Sequence, residues 1–599
     1  MSKKVNKETV QQILDEIQNN RNHTWYQELY NRNSQNLTDI ALIYRGNEIT
    51  YAVMFRKMQQ YANSLVSYGI HEGDEIPICL TNMPELVYIL GAISLVGAKA
   101  NVFGADFEKE YITEIINDCS SKLIFILDNS YAEIEAAIKT SKTQNIVMCS
   151  LIDSLPNGTN PYNEYDCNHV AFSETRSIHM CNNSKIISME QFVSHGKTCN
   201  ALIINKCDLD SEFVITYTSG STNTNRPKAI VHKTRSFITM GRWHDYDIKK
   251  TSMKKYRYQA HIPCHSNTDI ITCISDALMQ GAQLALEPIY DKDFFTYSLL
   301  INRPNYVVAT RSFWIHIAKY LSKNPNIKLP FLFLPFSVGE PVERNEEAFI
   351  NKWLRKADAG KDIVSAPFSV VTLSVAGGDC EHGGIFYVLF RATQNLRISN
   401  IFKNQEAGMV PFGMVDVAVI DTNKNMCKPY QIGRLVANSP CTMKGYKNNP
   451  TATSEFFIKD STGKVWGDCR VYGYIDKRGS VHMKGRMPDI PNEIPLYQIA
   501  ETILSSKKIL SCEVVKFEEN YISHIEFKPH STVDCRKLLK KLQYRCEKKF
   551  GQKVTDHMYW RIRTSEESFP LTGCGKRSAK ALCSEGISSQ CISFSKSTN

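Results

Sequence analysis

The chain has 599 residues, 43% of them hydrophobic and 10% aromatic, so it can bury several cores and is too apolar to be disordered. Its formal net charge of +10 is mild for this length and is spread along the sequence, which favours anionic small molecules over nucleic acid as partners. The N-terminus has no apolar stretch of the secretory kind, and apolar runs such as residues 86–98 are too short to cross a membrane. We therefore expect a cytoplasmic location.

The nineteen cysteines show neither a disulfide framework nor a zinc-ligand spacing. No two of them lie closer than eight residues, so there is no pair separated by two residues. A cytosolic chain of this size needs no disulfides for stability. We expect mostly buried free thiols.

Residues 50 to 128 alternate between helix and strand patterns. Apolar residues from Phe55 to Val66 recur at helical spacing before Gly69, and Pro84 stands in the first turn of a second apolar helix. Short apolar strands, at residues 74–80, 99–103 and 122–128, separate the helices. This alternation predicts α/β layers around a mainly parallel sheet.

The pattern changes after about residue 490. Two strands at 509–517 and 521–529 form a predicted pair, residues 534–550 form an amphipathic helix, and residues 556–563 form another strand. These elements predict a small α+β domain of about a hundred residues. The Ser-rich segment after residue 590 is expected to be a flexible tail.

A loop rich in glycine and hydroxyl groups lies between two predicted strands. The strand Phe213 to Thr218 enters the loop, and the strand Ala229 to His232 follows Lys228. Backbone N–H groups, side-chain hydroxyls and a lysine can together hold phosphate oxygens. No Gly-Lys-Ser/Thr closes the loop, so it is not a Walker A loop, and a polar β-turn is the alternative reading of the loop alone.

Five motifs in order make the chain resemble the AMP-binding, adenylate-forming superfamily, most closely its free-standing acyl-CoA synthetases. They are residues 217–232, the N-terminal block 46–103, FSVGEPV at 336–342, the stretch 432–486 and FPLTGCGKRSAKAL at 569–582. The resemblance implies a large N-terminal domain of layered α/β subdomains plus a distorted β-barrel, and a small mobile α+β C-terminal domain. It also implies domain limits of 1–486 and 487–589, with a tail at 590–599.

The resemblance implies a role for each matching residue in binding ATP. The phosphates would be held by the loop residues Thr218, Ser219, Gly220, Ser221 and Thr222, together with Lys228. The adenine would lie at Gly339, Glu340 and Pro341. Asp468 would accept hydrogen bonds from both ribose hydroxyls, and Arg486, just before the interdomain hinge, would contact ribose or phosphate.

The same resemblance implies the catalytic groups. Glu381, with Thr218, would hold Mg²⁺, an ion that takes hard oxygen ligands. Lys576 would stabilise the charge that develops when a carboxylate attacks the α-phosphorus of ATP. His265 matches a residue beside the acyl carboxylate in relatives, although a core or loop histidine is an equal alternative.

The chain departs from the family pattern at three positions. Asn223 replaces a glycine of the phosphate loop, which also carries two extra residues, and Gly377 replaces the aromatic residue that stacks on adenine. Pro488 stands at the hinge, and the segment after it is about five residues shorter than in relatives. Because proline fixes φ, we expect adenylation to be the easier half-reaction and thiol transfer the slower one.

The function that these motifs imply is ATP-dependent activation of a small carboxylic acid through an acyl-adenylate, followed by transfer to coenzyme A. ATP, Mg²⁺ and coenzyme A are the expected cofactors. Two alternatives stay open: an adenylating enzyme that loads a separate carrier protein, and a nucleotide-binding protein that has lost catalysis. The sequence does not identify the acid, because acyl pockets are lined by scattered side chains.

Overall fold

The architecture is a layered α/β fold with four β-sheets. The computed structural model describes residues 11–12, 15–17, 19, 23–156, 184–199, 208–218, 226–248, 256–360, 373–388, 410–411, 415–477, 479–486, 494–529, 534–564 and 567–594. Within these ranges, no helix has both the length and the apolar character that a membrane crossing needs.

An eight-stranded sheet carries the first alternation of helices and strands. In spatial order its strands are Gly445–Tyr446, Ala229–Lys233, Glu212–Tyr217, Lys99–Val102, Glu75–Cys79, Leu123–Leu127, Asn145–Cys149 and Ile186–Ser188. Six consecutive strands, from Glu212–Tyr217 to Ile186–Ser188, are parallel to their neighbours. The helices of this part of the chain are Tyr51–Ser67, Pro84–Val96, Lys109–Cys119, Tyr131–Lys139 and Met189–Gly196. The predicted mainly parallel sheet is confirmed.

A nine-stranded mixed sheet forms the second layer. In spatial order its strands are Val410–Pro411, Gly384–Val388, Ser374–Asp379, Leu334–Ser337, Tyr306–Ala309, Arg257–Ala260, Gln283–Leu286, Ile40–Tyr44 and Asn47–Thr50. Its helices are Trp25–Asn33, Thr234–Ile248, the π-helix Thr268–Ser275 with its continuation Asp276–Met279, Lys292–Asn302, Arg311–Lys323 and Arg344–Lys356. One large apolar core, including Trp25, Leu42, Leu86 and Tyr258, joins this layer to the eight-stranded sheet.

A five-stranded antiparallel sheet stands where the resemblance implied a distorted barrel. Its strands are Asp416–Ile420, Gly433–Asn438, Val465–Ile475, Phe457–Lys459 and Val481–Arg486, and the helix Pro450–Phe456 precedes the fourth. The long strand Val465–Ile475 pairs with three of the others. This strand carries Asp468 to the interior of the molecule, where its side chain is buried.

The C-terminal part is the predicted α+β unit. Its sheet consists of Ile509–Phe517, Asn520–Phe527, Met558–Arg563 and Ile592–Ser593, and its helices are Leu496–Leu504, Cys535–Phe550, Gln552–Thr555 and Ala579–Ser584. Leu539, Leu542 and Cys546 bury the apolar face of the long helix, as the sequence predicts. The strand Ile592–Ser593 pairs with Tyr559 and Trp560, so this sheet includes part of the segment that was expected to be a tail.

A buried carboxylate ties the first helix to the second layer. The Glu28 side chain is 4% exposed and contacts Arg242 Nε at 2.7 Å and Arg32 Nε at 2.8 Å. Although burial alone raises the pKa of Glu28, the hydrogen bonds from His23, Arg242 and Arg32 hold it well below its usual range. Glu28 is therefore ionised in the folded protein at neutral pH.

Glu28→Gln should lower the free energy of unfolding by about 3–5 kcal/mol, because it removes the buried anion that partners two partly buried arginines. The stabilisation by Glu28 should be present above the unfolded carboxyl pKa, about 4.3, and should be lost as the pH falls below it. Thermal unfolding of both proteins from pH 2 to pH 8 measures the effect. Glu519→Gln, at an exposed hairpin position, is the control and should leave the midpoint unchanged. Equal midpoints for Glu28→Gln and the parent protein at pH 7 would contradict the assignment.

Candidate functional site

The candidate site lies at the carboxyl ends of the central strands of both large sheets, the edge where ligands bind in open α/β folds. Thr218 follows the strand Glu212–Tyr217, His265 follows Arg257–Ala260, and Gly339 follows Leu334–Ser337. Asp106 and Thr310 follow two further strands at the same edge. The parallel arrangement therefore collects residues that are far apart in the sequence.

The base of the predicted phosphate loop is closed by two hydrogen bonds. The Thr218 backbone N–H donates to the Lys228 carbonyl (3.0 Å), and the Lys228 N–H donates to Thr218 Oγ1 (2.8 Å). The Tyr111 hydroxyl donates to the Pro227 carbonyl at 2.6 Å and fixes the returning side. The remaining predicted phosphate ligands, Ser219, Gly220, Ser221 and Thr222, and also Asn223, lie outside the described residues.

Lys228 and Glu381 meet at the aromatic ring of Tyr446. The Lys228 ammonium lies 4.9 Å from the ring centroid, and the Tyr446 hydroxyl donates to Glu381 Oε1 at 2.6 Å. Burial and the nearby Arg470 lower the pKa of Lys228, although Glu381 opposes this change. Tyr446 therefore connects the phosphate-loop lysine to the predicted metal ligand.

Glu381 stands in a partly buried, electronegative turn. Burial and the neighbouring Asp379 raise the pKa of its carboxyl group, whereas the Tyr446 hydrogen bond lowers it. The turn follows the strand Ser374–Asp379, and Met443 donates its backbone N–H to the Glu381 carbonyl at 2.7 Å. Gly377, in the same strand, offers no ring for stacking on adenine. A partly buried carboxylate with concentrated negative charge around it is a suitable place for a divalent cation.

Asp468 is held by an arginine that the sequence analysis did not single out. Arg434 Nε donates to Asp468 Oδ1 at 3.1 Å, and Nη2 lies 2.9 Å from Oδ2. The Arg470 backbone N–H also donates to Oδ1, at 2.9 Å. Oδ1 therefore already accepts two hydrogen bonds and Oδ2 one, which leaves one lone pair on Oδ2 for a ribose hydroxyl; a second hydroxyl would have to displace one of the present donors. Arg486 is the last residue of the adjacent strand, opposite Val471.

The loop that carries Lys576 is inserted into the N-terminal part of the molecule. A Cβ atom on Gly339 would lie 2.7 Å from Lys576 Cε, so the lysine side chain crosses the predicted adenine loop. Gly575 has φ +71, and a Cβ there would clash with the Tyr290 hydroxyl; one on Gly573 would clash with Asp106. Thr310 Oγ1 donates to the Gly575 carbonyl at 2.8 Å. The two glycines of the Gly-Cys-Gly sequence are thus required, because Asp106 and Tyr290 lie too close to the loop for a Cβ atom at either position.

Two buried arginines lock this loop in place. Arg311 contacts Glu340 at 3.0 Å, Glu346 at 3.5 Å and Glu513 at 2.8 Å. Arg577, the residue after Lys576, contacts Glu346 at 2.7 Å and donates its backbone N–H to Glu340 at 3.2 Å. We call these five residues the docking network. Glu340, expected at the adenine, therefore also holds the lysine loop, whereas its neighbour Pro341 is exposed.

His265 contacts the lysine loop directly. Its Nε2 lies 3.5 Å from the Cys574 Sγ. Burial alone raises the pKa of Cys574, but the paired His265 and the nearby Lys576 hold it below its usual range. Burial alone lowers the pKa of His265, but Cys574 and Asp106 raise it. These opposite shifts favour a thiolate–imidazolium pair between the two parts of the molecule.

The structure brings most of the predicted residues together. Thr218, Lys228 and Glu381 form the predicted phosphate end, Asp468 stands at the predicted ribose end, and Gly339 and His265 contact the loop that carries Lys576. Sequence reasoning missed five residues: Arg311, Arg434, Tyr446, Cys574 and Arg577. Four of these residues lie within the motifs 432–486 and 569–582, so their position in a motif could have marked them as site residues. Arg311 lies in none of the five motifs, and its position gave no such indication. The hinge proline Pro488 lies outside the described residues.

The AMP-binding enzyme family model matches residues 29–447. The chain belongs to this family, and the resemblance to the adenylate-forming superfamily is confirmed. Curated relatives include the acetyl-coenzyme A synthetase of Xylella fastidiosa (strain Temecula1), 23% identical over 505 residues that cover 79% of this chain and 69% of the relative. The same enzyme of Phycomyces blakesleeanus is 22% identical over 536 residues, covering 83% and 72%. This chain is accordingly an enzyme of the AMP-forming acid–thiol ligase class.

Solved structures with the same fold cover nearly the whole chain. An anthranilate CoA ligase in complex with anthranoyl-AMP has a TM-score of 0.72 at 14% identity, covering 94% of this chain and 97% of that one. A benzoate CoA ligase from Burkholderia xenovorans LB400 has a TM-score of 0.71 at 12% identity, covering 94% and 99%. The predicted fold class is confirmed.

Arg577→Ala should release the lysine loop, because losing one partner of a buried ion pair costs about 3–5 kcal/mol. Hydrogen exchange of the amides in residues 567–584 should then accelerate at least about tenfold, as loop opening becomes more frequent. Lys580→Ala, an exposed lysine in the same segment, is the matched control and should not change the exchange. Unchanged exchange in Arg577→Ala would show that the docking network does not hold the loop.

Proposed function

We propose that this enzyme activates a small carboxylic acid with ATP to form an acyl-adenylate and pyrophosphate, and then transfers the acyl group to coenzyme A. The observation that carries the proposal is the position of Lys576, which reaches Gly339 from the C-terminal unit while Thr218 and Lys228 lie at the carboxyl edge of the strands. Asp468 lies on a strand of the five-stranded sheet, and its neighbour Cys469 has its sulfur within 4.8 Å of ligand atoms of Asp379 and His382, beside Glu381. Acetate is the first acid to test, because the curated relatives above are acetyl-coenzyme A synthetases.

Lys576 is the proposed catalytic residue of the adenylating step. In the described part of the chain no carboxylate forms an ion pair with its ammonium group, so its charge is available to a substrate. When the acid oxygen attacks the α-phosphorus, negative charge spreads over the carboxylate and phosphate oxygens, and a lysine between them stabilises the transition state. The docked loop thus represents the adenylating pose.

The nucleotide would be held at both ends by residues of the N-terminal part. Lys228 and Thr218 would face the phosphates, Asp468 the ribose and the loop Gly339 to Pro341 the adenine. Arg434 would orient the Asp468 carboxylate and leave the second lone pair of Oδ2 to one ribose hydroxyl, while the other hydroxyl would displace one of the donors to Oδ1. Arg486 stays a proposed ribose or phosphate contact on the strand beside Asp468.

Glu381 fits the Mg²⁺ that adenylation requires. Its carboxylate is a hard oxygen ligand, and the Tyr446 hydroxyl contacts its Oε1. Burial and the neighbouring Asp379 raise the pKa of this carboxyl group, and a bound cation would stabilise its ionised form. When bound, the ion would neutralise phosphate charge. Glu381 and the Thr218 hydroxyl would hold it, and Tyr446 would orient the carboxylate.

The remaining sequence predictions follow from this function. We propose that His265 lies beside the acid carboxylate, and that the division into domains falls at residues 486 and 487. A cytoplasmic location is supported by the cysteines, since all those in the described ranges are free thiols. The predicted slow thiol-transfer step at Pro488 stays a prediction.

Lys576→Ala should reduce acid-dependent exchange between ATP and pyrophosphate by about 10²–10³, the scale of losing one preorganised electrostatic group. ATP affinity should change little, since the charge acts mainly on the transition state. The exchange is measured with acetate and with a panel of longer and aromatic acids, and ATP binding by calorimetry.

Lys580→Ala is the matched control and should exchange at the parental rate. If Lys576→Ala exchanges as fast as the parent, Lys576 is not catalytic. If the parent itself binds ATP but shows no exchange with any acid, the proposed function is wrong and the noncatalytic alternative takes its place.

A further inference from the structure

Three potential metal ligands from two distant segments converge beside the proposed nucleotide site. Asp379, His382 and Cys469 each place one ligand atom within 4.8 Å of the other two. Asp379 and His382 flank the turn that contains Glu381, and Cys469 directly follows Asp468. We call these three residues the Asp–His–Cys cluster.

The orientation of His382 leaves one ring nitrogen facing an anion. Nε2 lies 3.2 Å from the Ala437 carbonyl, the place of an N–H donor, while Nδ1 lies 2.6 Å from Asp379 Oδ1. With Nε2 protonated by its bond to the carbonyl, the Nδ1 lone pair and a carboxylate oxygen would point at each other. The 2.6 Å contact is a hydrogen-bond distance, so a proton joins the two atoms as they stand; a Zn²⁺ ion, with Zn–N and Zn–O bonds of about 2.0 Å, would replace that proton and hold the two atoms roughly 3.3 Å apart. A ring N–H donated to a backbone carbonyl is also the usual way in which proteins orient a metal-binding histidine.

The surroundings of the cluster favour a cation. The His382 ring is fully buried, so its orientation is fixed by packing, and a Cβ on Gly467 would clash with its Nε2. Glu381 directly precedes His382 in the sequence and Asp468 directly precedes Cys469, so two further carboxylates accompany the cluster. Among the described residues, Asp468 has a bidentate arginine partner, Arg434. The Asp379 side chain is 23% exposed, which leaves one side of the cluster open for a water molecule or a ligand.

We propose that the Asp–His–Cys cluster is a binding site for a borderline-soft divalent cation of the Zn²⁺ class, distinct from the Mg²⁺ that accompanies the nucleotide. A thiolate, an imidazole and a carboxylate suit Zn²⁺, and a thiolate does not suit Mg²⁺. Three protein ligands leave a fourth coordination position on the exposed side. The site needs neither ATP nor an acid, so its test does not depend on the proposed function.

The test uses the full-length protein without nucleotide, freed of metal by a chelator and titrated with Co²⁺. We expect one Co²⁺ per chain, with a thiolate-to-cobalt charge-transfer band and the intense visible bands of a tetrahedral site. Zn²⁺ should displace the Co²⁺, and excess Mg²⁺ should not. X-ray absorption of the Zn²⁺ form should show one sulfur ligand with the remaining ligands nitrogen or oxygen.

Cys469→Ser should abolish the charge-transfer band and weaken Co²⁺ binding at least tenfold. Cys427→Ser, a partly buried thiol outside the cluster, is the matched control and should keep both. Asp379→Asn provides a second, nearly isosteric variant if Cys469→Ser fails to fold, and should also weaken binding at least tenfold. Absence of Co²⁺ binding, which would mean that a proton alone joins His382 to Asp379, overturns the proposal. A charge-transfer band that survives Cys469→Ser also overturns it.

Discussion

The buried ion pairs between two arginines and three glutamates are the constraint on which the site depends. Taking charged groups out of water costs several kcal/mol each, and only good mutual geometry offsets this cost. Arg311 and Arg577 meet this requirement by sharing Glu346, and Glu340 and Glu513 complete the contacts. Because Arg577 and Glu513 come from the C-terminal unit and the others do not, the pairs form in one relative arrangement only. That arrangement places Lys576 at Gly339.

At the opposite end of the site, too, single residues contact more than one functional group. Tyr446 contacts both Lys228 and Glu381, so one aromatic residue positions the proposed phosphate-binding cation and the proposed metal-binding carboxylate. Arg434 orients Asp468, and the next residue, Cys469, belongs to the Asp–His–Cys cluster. The nucleotide pocket and the proposed second metal site therefore share one strand and one turn. Binding at one is expected to influence the geometry of the other.

The sequence predicts the helices and strands well where the periodicity is strong. The strands around the phosphate loop, the helix that begins at Pro84 and the amphipathic helix Cys535–Phe550 all lie where apolar spacing and cap residues indicate. The ordered motifs predict the family and most of the site. They could not predict that Arg311 holds the lysine loop, because its partners come from two segments far apart in the sequence, one with Glu340 and Glu346 and the other with Glu513. The Asp–His–Cys cluster could not be found from the sequence for the same reason, since rules based on ligand spacing detect only ligands that are close in the sequence.

The central claim is that Lys576 and Asp468 act on the same bound nucleotide while the lysine loop is docked. A crystal structure with a nonhydrolysable acyl-adenylate analogue, an acyl-sulfamoyl adenosine, tests this claim most directly. The account predicts both ribose hydroxyls on the Asp468 carboxylate and the Lys576 ammonium within about 3 Å of the linker oxygens, with the docking network intact. An analogue bound away from Asp468, or a bound analogue with Lys576 out of hydrogen-bonding reach, would contradict it.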